Sequence, residues 1–198
     1  MPYARKDALT WQKGTYYHIY NRGARQVTIF REATNYLFTI SKIKKYSQIQ
    51  RISVISYCLM PNHYHFLLRQ DGEEPAGHLP QYVFNSYSKA YNKMYSHSGT
   101  LFQGRFRVKV VQNTSHLLHL CRYIHGNPVK DGMVAEPSDW PYSNYLEWIG
   151  ERPGTLVEQG FIQEQFSNAD TYKQFLIQYL NIRCLPDDVQ KHINKIEK

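Results

Sequence analysis

The sequence predicts an α+β fold of the ferredoxin-like type, in which helices cover a four-stranded antiparallel sheet. Segments rich in β-branched and aromatic residues alternate with segments whose apolar residues recur at helical spacing. Their order is β-α-β-β-α-β-α, and the first six elements match a split βαβ unit. The length of 198 residues suits one such domain with a helical addition.

Four segments are predicted to be strands because β-branched and aromatic residues dominate them. The second and third flank a break at Met60-Pro61-Asn62, which favours a hairpin. In the fourth, cationic and apolar residues alternate strictly, so they belong to opposite faces. The predicted strands are residues 15–20, 51–59, 63–69 and 105–111.

The helices are predicted from apolar stripes, and the third of them ends at Asn127-Pro128 in this interpretation. The sequence E-R-P-G at residues 151–154 marks a boundary. We therefore expect a domain over residues 1–150 and a helical C-terminal appendage over residues 151–198, outside the core of that domain. The predicted helices are residues 31–47, 79–96 and 114–126, followed in the appendage by 156–166, 169–182 and 187–197.

The composition is basic and aromatic, with 24 Lys and Arg, 16 Asp and Glu, and 17 Tyr. Cations neutralise phosphates and flat rings stack on bases, so nucleic acid is one interpretation. A tyrosine-rich core with half-exposed rings is the other. Residues 1–150 hold 18 Lys and Arg against 9 Asp and Glu, whereas residues 151–198 hold 6 against 7. A phosphate-binding surface is therefore expected in the first 150 residues.

Several classes of protein are excluded by the same sequence. Apolar residues make up 42% and charged residues 20%, which excludes an intrinsically disordered chain. Three scattered cysteines argue against a disulfide framework and fit a reducing cytosol. No apolar run reaches a membrane span and no signal peptide is seen, so we expect no membrane partner. No P-loop, GxGxxG or GxSxG motif is present.

His63-Tyr64-His65 places two imidazoles on one face of the third strand, since residues i and i+2 point the same way. That arrangement suits two ligands of one metal ion. The alternative is two partly exposed polar side chains on an ordinary strand.

The helix at 114–126 carries a second stripe beside its apolar one, formed by His116, His119, Tyr123 and Asn127. Tyr123 and Asn127 lie one turn apart if the helix continues that far. Otherwise Asn127, which precedes a proline, is a C-cap and Tyr123 an aromatic rim residue.

Arg105, Arg107 and Lys109 are predicted to share one strand face at a spacing of about 7 Å, close to the phosphate spacing of a single strand. A solvated outer face is the alternative. Further cations that could extend a DNA-binding patch are Arg22, Arg25, Lys89, Lys93 and Arg122.

Five blocks of the sequence, in order, resemble the HUH single-strand DNA transposases, and most of all the REP-associated tyrosine transposases. The resemblance covers roughly residues 15–150. The blocks are YHIYNRG at 17–23, MPNHYHFLLR at 60–69, FQGRFRVK at 102–109, LCRYIHGNPVKDGMV at 120–134 and WPYSNY at 140–145.

The resemblance implies a ferredoxin-like fold with His63 and His65 on a central strand, Tyr123 as the nucleophile and Asn127 as an amide-type third metal ligand. The middle residue of this motif is usually apolar in the family, and Tyr64 departs from that pattern. We expect a divalent metal, Mg²⁺ or Mn²⁺, as cofactor. We expect single-stranded DNA with a REP-like hairpin as partner, a cytoplasmic, nucleoid-associated location and, as an open question, a homodimer.

The predicted function is therefore metal-dependent cleavage and rejoining of single-stranded DNA near hairpins, through a 5′-phosphotyrosine on Tyr123. Two alternatives stay open: a non-catalytic ferredoxin-like nucleic-acid-binding protein, and a metal-dependent phosphodiesterase that uses water. The nearest rival nucleophiles are Tyr64, Tyr87 and Tyr91.

Overall fold

The computed structural model describes residues 9–182 and 184–197, and it confirms the predicted α+β fold. Its four strands form one antiparallel sheet in the order β2-β3-β1-β4. The hairpin between β2 and β3 turns at Pro61-Asn62, as predicted. The strands are β1 Tyr16–Arg22, β2 Ile52–Met60, β3 His63–Gln70 and β4 Arg107–Val111.

The helices follow the predicted order, and the described residues also contain short helical turns that were not predicted. Three belong to the first part of the chain: α1 Ala33–Gln50, α2 His78–Tyr95 and α3 Thr114–Lys130. Later in the chain come α4 Tyr145–Trp148, α5 Gln159–Gln165, α6 Ala169–Ile182 and α7 Asp187–Glu197. None of the described helices combines the length and the apolar character needed to cross a membrane.

Helices cover both faces of the sheet, so its side chains divide into two sets. On one face, Tyr64 of β3 stacks on Phe84 of α2 with ring centroids 3.9 Å apart. On the other face, His65 meets Tyr123 of α3 with ring centroids 5.5 Å apart. The two central strands β1 and β3 are therefore held between α2 on one side and α3 on the other.

The prediction that the third helix ends at Asn127 is wrong, because α3 continues through Pro128 to Lys130. The backbone N–H of Asp131 donates to the carbonyl of Asn127 at 2.9 Å, which keeps Asn127 inside the helix. Pro128 removes a donor, but it lies in the last turn, where little helix remains to be disturbed. Tyr123 and Asn127 are consequently neighbours on one helix face.

The fourth strand begins at Arg107 rather than at residue 105, and the prediction that Arg105 lies on it is wrong. The pairing of β4 with β1 starts at Arg107, opposite Tyr20. Gly104 immediately before has φ +70°, a left-handed conformation that glycine adopts easily and that interrupts an extended chain. Arg105 therefore belongs to an exposed loop.

The C-terminal helices are in direct contact with α3. At Gly126 an added Cβ would lie 3.1 Å from the Leu180 side chain, so the absence of a side chain permits the close approach of α6. Tyr172 of α6 also hydrogen-bonds to His125 of α3. The division of the chain at residue 150 stays a prediction, but the structure does not separate these helices from α3.

Candidate active site

A cavity of about 370 Å³ opens between the sheet and the C-terminal half of α3. It is lined mainly by polar and aromatic side chains. Four of the residues singled out in the sequence meet there, namely Tyr123, His63, His65 and Asn127. The complete lining is Tyr20, Asn21, Arg22, Gln26, Asn62, His63, His65, Gln103, Arg107, Tyr123, Asn127, Lys130 and Asp131.

Tyr123 lies at the bottom of this cavity, where only 2% of its surface is exposed. The His65 ring meets the tyrosine edge-on, at a centroid distance of 5.5 Å. Lys130, two turns further along α3, places its Nζ 5.1 Å from the centre of the tyrosine ring. A cation at that position stabilises negative charge that develops on the phenolic oxygen.

The two histidines of β3 have different hydrogen-bond partners, and His63 bonds to the residue that precedes it, Asn62. Its Nδ1 lies 2.7 Å from the Asn62 Oδ1. An amide oxygen can only accept, so Nδ1 carries the proton and Nε2 keeps its lone pair. Burial, assisted by the charges of Lys130 and Arg22, lowers the pKa of His63 to about 4. The ring is therefore neutral near pH 7.

His65 is buried, and its ring lines the cavity. Its Nδ1 lies 3.1 Å from the Nε2 of His18 on the neighbouring strand β1. Burial lowers the pKa of His65 well below its usual value, and the charges of His63 and His18 add to this effect. A neutral imidazole is the form in which histidine binds metals.

Asn127 is the amide residue predicted to bind a metal together with His63 and His65, and it is 1% exposed. Its Nδ2 is buried without a hydrogen-bond partner. A turn of the amide about its last bond would put Oδ1 in that position, and an amide oxygen can bind a cation. Two neutral imidazoles and one amide oxygen thus fit a divalent ion. Among the described residues, no three His, Cys, Asp or Glu side chains form an alternative metal cluster.

Tyr20 is a cavity residue that the sequence analysis missed. It lies on β1 directly opposite His65 in the strand register, so both side chains leave the same face of the sheet. Burial raises the pKa of Tyr20, although Arg107, which is hydrogen-bonded to it, counteracts part of the shift. Only the pairing of β1 with β3 places Tyr20 beside His65, and no local pattern in either strand predicts that pairing.

Apart from Arg122, the cations predicted to bind DNA fall into two groups. Arg22 and Arg107 line the cavity. Arg25, Arg105 and Lys109 are exposed but do not line it. Arg107 also donates to the main-chain carbonyl of residue 195 at 3.2 Å, which ties the end of α7 to the edge strand.

Arg122 is the exception, because the structure buries it instead of exposing it on a surface. The residue is only 8% exposed. Its guanidinium lies over Phe175, 4.4 Å from the ring centre, and donates to the carbonyl of Cys184. Arg122 therefore attaches α3 to the C-terminal helices.

The rival tyrosines lie away from the cavity. Tyr64 is stacked on α2, on the opposite face of the sheet. The hydroxyl of Tyr87 donates to the carbonyl of Ile29, and that of Tyr91 to the carbonyl of Thr28 at 3.1 Å. None of the three lines the site.

Comparison with known proteins gives a consistent result. The family described as "Transposase IS200 like" matches residues 12–127. The REP-associated tyrosine transposase of Escherichia coli (strain K12) is 24% identical over 152 residues, which cover 70% of this chain and 86% of that protein. A solved REP-associated tyrosine transposase bound to a REP hairpin shares the fold with a TM-score of 0.62 and 20% identity, over 78% of this chain and 94% of that one. The matched family range contains Tyr123, both strand histidines and Asn127.

Proposed function

This chain belongs to the IS200-like transposase family, and from that premise we propose that it cuts and rejoins single-stranded DNA through a covalent link to Tyr123. The observation that carries the proposal is the cavity itself. Tyr123 and a second tyrosine, two neutral imidazoles, a buried amide and several cations line the same space. A nucleophile, metal ligands and phosphate-binding groups are what a phosphoryl transfer requires.

In the proposed reaction, the Tyr123 oxygen attacks a phosphorus atom of the DNA backbone. A P–O bond to tyrosine forms while the bond to the 3′ oxygen breaks, leaving a 5′-phosphotyrosine and a free 3′-hydroxyl. The phenolic proton passes to solvent in the cavity, and the departing 3′ oxygen takes up a proton. Attack by a 3′-hydroxyl on the phosphotyrosine reverses these changes and rejoins a strand without an external energy source.

The cations of the cavity support the two charged stages of this reaction. Lys130 lies beside the Tyr123 ring and stabilises the oxygen as its proton leaves. Arg22 and Arg107 line the wall formed by β1 and β4, and in the proposed reaction they bind the phosphate that is attacked.

We propose that His63, His65 and Asn127 hold a divalent ion, Mg²⁺ or Mn²⁺. The support is the two imidazoles whose Nδ1 atoms are engaged elsewhere, together with the unpartnered Asn127 amide. Such an ion, when bound, polarises a phosphoryl oxygen and stabilises charge in the transition state. All three ligands are neutral, so they leave the charge of the ion available to the phosphate.

The proposed substrate is single-stranded DNA that carries a hairpin. Its support is the REP hairpin bound by the structural relative and the excess of cations over residues 1–150. Exposed Arg25, Arg105 and Lys109 lie outside the cavity and could follow the strand that leaves it.

The test is incubation of the full chain with Mn²⁺ and a hairpin-bearing single strand labelled at either end. If Tyr123 attacks as proposed, the 3′-labelled fragment runs with the protein on a denaturing gel, while the 5′-labelled fragment is released. Tyr123→Phe should abolish both products and change the free energy of unfolding by only about 1 kcal/mol.

The matched control is Tyr20→Phe, which removes the other phenolic hydroxyl of the same cavity. Its adduct should persist. Cleavage without a protein-linked fragment would instead indicate a phosphodiesterase that uses water. Binding of the hairpin without any cleavage would indicate a non-catalytic nucleic-acid-binding protein. Either result contradicts the proposal.

A further inference from the structure

A continuous chain of four buried imidazoles connects the cavity to the C-terminal helix α7. The Nδ1 of His65 lies 3.1 Å from the Nε2 of His18. The Nδ1 of His18 lies 3.2 Å from the Nε2 of His192. The Nδ1 of His192 then lies 3.0 Å from the Nε2 of His116. Finally, the Nδ1 of His116 lies 3.1 Å from the carboxylate of Asp188.

Asp188 gives this chain a direction, because an ionised carboxylate can only accept. The Nδ1 of His116 must therefore donate. In a neutral ring the Nε2 of His116 then accepts from His192, and the same assignment repeats at His18 and at His65. Every ring becomes an Nδ1–H tautomer, and the Nε2 of His65 retains its lone pair.

We propose that Asp188, His116, His192 and His18 act as positioning residues that fix the tautomer and orientation of His65 as a metal ligand. The proposal deepens the function proposed above and rests on it. Ligating histidines usually donate their second ring N–H to a carboxylate or carbonyl. In this chain that carboxylate lies three imidazoles away and comes from α7, so the C-terminal helix contributes to the site without reaching the cavity.

The burial of the intermediate rings supports a neutral chain. His18 is completely buried, which favours a neutral ring. His192 is 5% exposed, and its pKa is lowered to about 4, chiefly by burial. Burial also lowers the pKa of His116, although Asp188 acts in the opposite direction. If the four rings served only to fill the core, their nitrogens would not need to lie within hydrogen-bonding distance of one another from ring to ring.

The first test compares Asp188→Asn with Asp187→Asn in the full chain. Both changes remove one carboxylate from the first turn of α7, but only Asp188 contacts His116 among the described contacts. The side chain of Asp188 is 59% exposed, so its replacement leaves the core intact. In the wild type and in Asp187→Asn, nitrogen NMR of the imidazoles should show His65 as the Nδ1–H tautomer. In Asp188→Asn it should show a mixture, with Mn²⁺ affinity weakened by about 10-fold or more.

The second test interrupts the chain at His192. In His192→Leu no side-chain nitrogen links His18 to His116, whereas in His192→Gln an amide can still accept from one ring and donate to the other. The leucine variant should lose the single tautomer of His65 and part of its Mn²⁺ affinity, and the glutamine variant should regain both.

An Nε2–H tautomer at His65 in the wild type would overturn the proposal. So would Asp188→Asn and His192→Leu variants whose His65 tautomer matches that of Asp187→Asn. These spectra are recorded without DNA and are decisive even if Mn²⁺ binds weakly. Failure of the proposed function appears separately, as a wild-type protein that forms no DNA adduct.

Discussion

Two buried histidines of this molecule, His65 and His125, occupy similar environments and make different hydrogen bonds. Both are neutral near pH 7, since burial lowers the pKa of each. The Nε2 of His125 lies 2.9 Å from the Oδ1 of Asn144 and 3.0 Å from the Ser56 hydroxyl, and its Nδ1 meets the hydroxyl of Tyr172. His65 has a hydrogen-bonding partner on one nitrogen, and its ring lines the cavity.

The orientation of Asn144 decides which tautomer His125 adopts. Its Nδ2 donates to the carbonyls of Ile55 and Leu156, at 3.0 Å each, so its Oδ1 is the atom that accepts from His125. His125 is therefore an Nε2–H tautomer whose Nδ1 accepts from Tyr172. Both ring nitrogens of His125 therefore form hydrogen bonds within the folded protein. Burial and a lowered pKa are common to His65 and His125, and what differs between them is the number of ring nitrogens with a hydrogen-bond partner.

The largest effects are expected when each of these two histidines is substituted in a separate variant. In His125→Leu, the Tyr172 hydroxyl and the Ser56 hydroxyl lose a buried partner, so we expect a loss of about 3 kcal/mol in the free energy of unfolding. Mn²⁺ affinity, measured on the folded fraction by calorimetry, should be unchanged. In His65→Gln the pattern should reverse, with bound Mn²⁺ lost and the unfolding free energy lowered by about 1 kcal/mol.

Chemical denaturation and metal titration of the same two samples provide the check. A His125→Leu protein that is as stable as the wild type would remove the structural role given to His125. A His65→Gln protein that retains full Mn²⁺ affinity would remove His65 from the ligand set.

Acid should destabilise the protein through the same buried histidines. The pKa of His125 is lowered to about 4 in the folded chain, against about 6.5 when unfolded. The unfolded chain therefore binds the proton first, and stability is lost as the pH falls from about 6.5 towards 4. For His125 alone the loss from pH 7 to pH 5 is about 2 kcal/mol. Denaturation at both pH values should show a smaller difference in His125→Leu, and an identical difference would contradict the account.

The smallest effect concerns the surface around the open end of the cavity. Changing Arg105, Arg107 and Lys109 together to Ala should weaken DNA binding and make it less sensitive to salt. Each lost phosphate contact lowers the slope of log K against log salt by about 0.7 for a single strand. The control is the pair Lys44→Ala and Lys45→Ala, on the exposed side of α1. Equal slopes in both variants would remove the edge strand from the DNA surface.

Much of the fold and of the site was predictable because the signals are local. Alternation along β3 placed His63 and His65 on one face, and helical spacing placed Tyr123 near Asn127. The resemblance to a family then suggested their roles. These four residues do meet in one cavity.

The remaining features depend on contacts between distant segments. His18 and His192 lie 174 residues apart in sequence, so no spacing rule could join them. The burial of Arg122 could not be read from its own helix pattern, because it results from packing against Phe175 of α6. Helix α3 extends beyond its predicted end because the pre-proline restriction disfavours a helical conformation without forbidding it.

The central claim is that Tyr123 is the nucleophile that attacks DNA in the cavity lined by His65. It is tested most directly by digesting the trapped protein–DNA adduct and identifying the modified peptide by mass spectrometry. The account predicts a phosphotyrosine at Tyr123 that carries the 5′ end of the downstream fragment. A phosphate on Tyr20, on any other residue, or on no residue at all would contradict it.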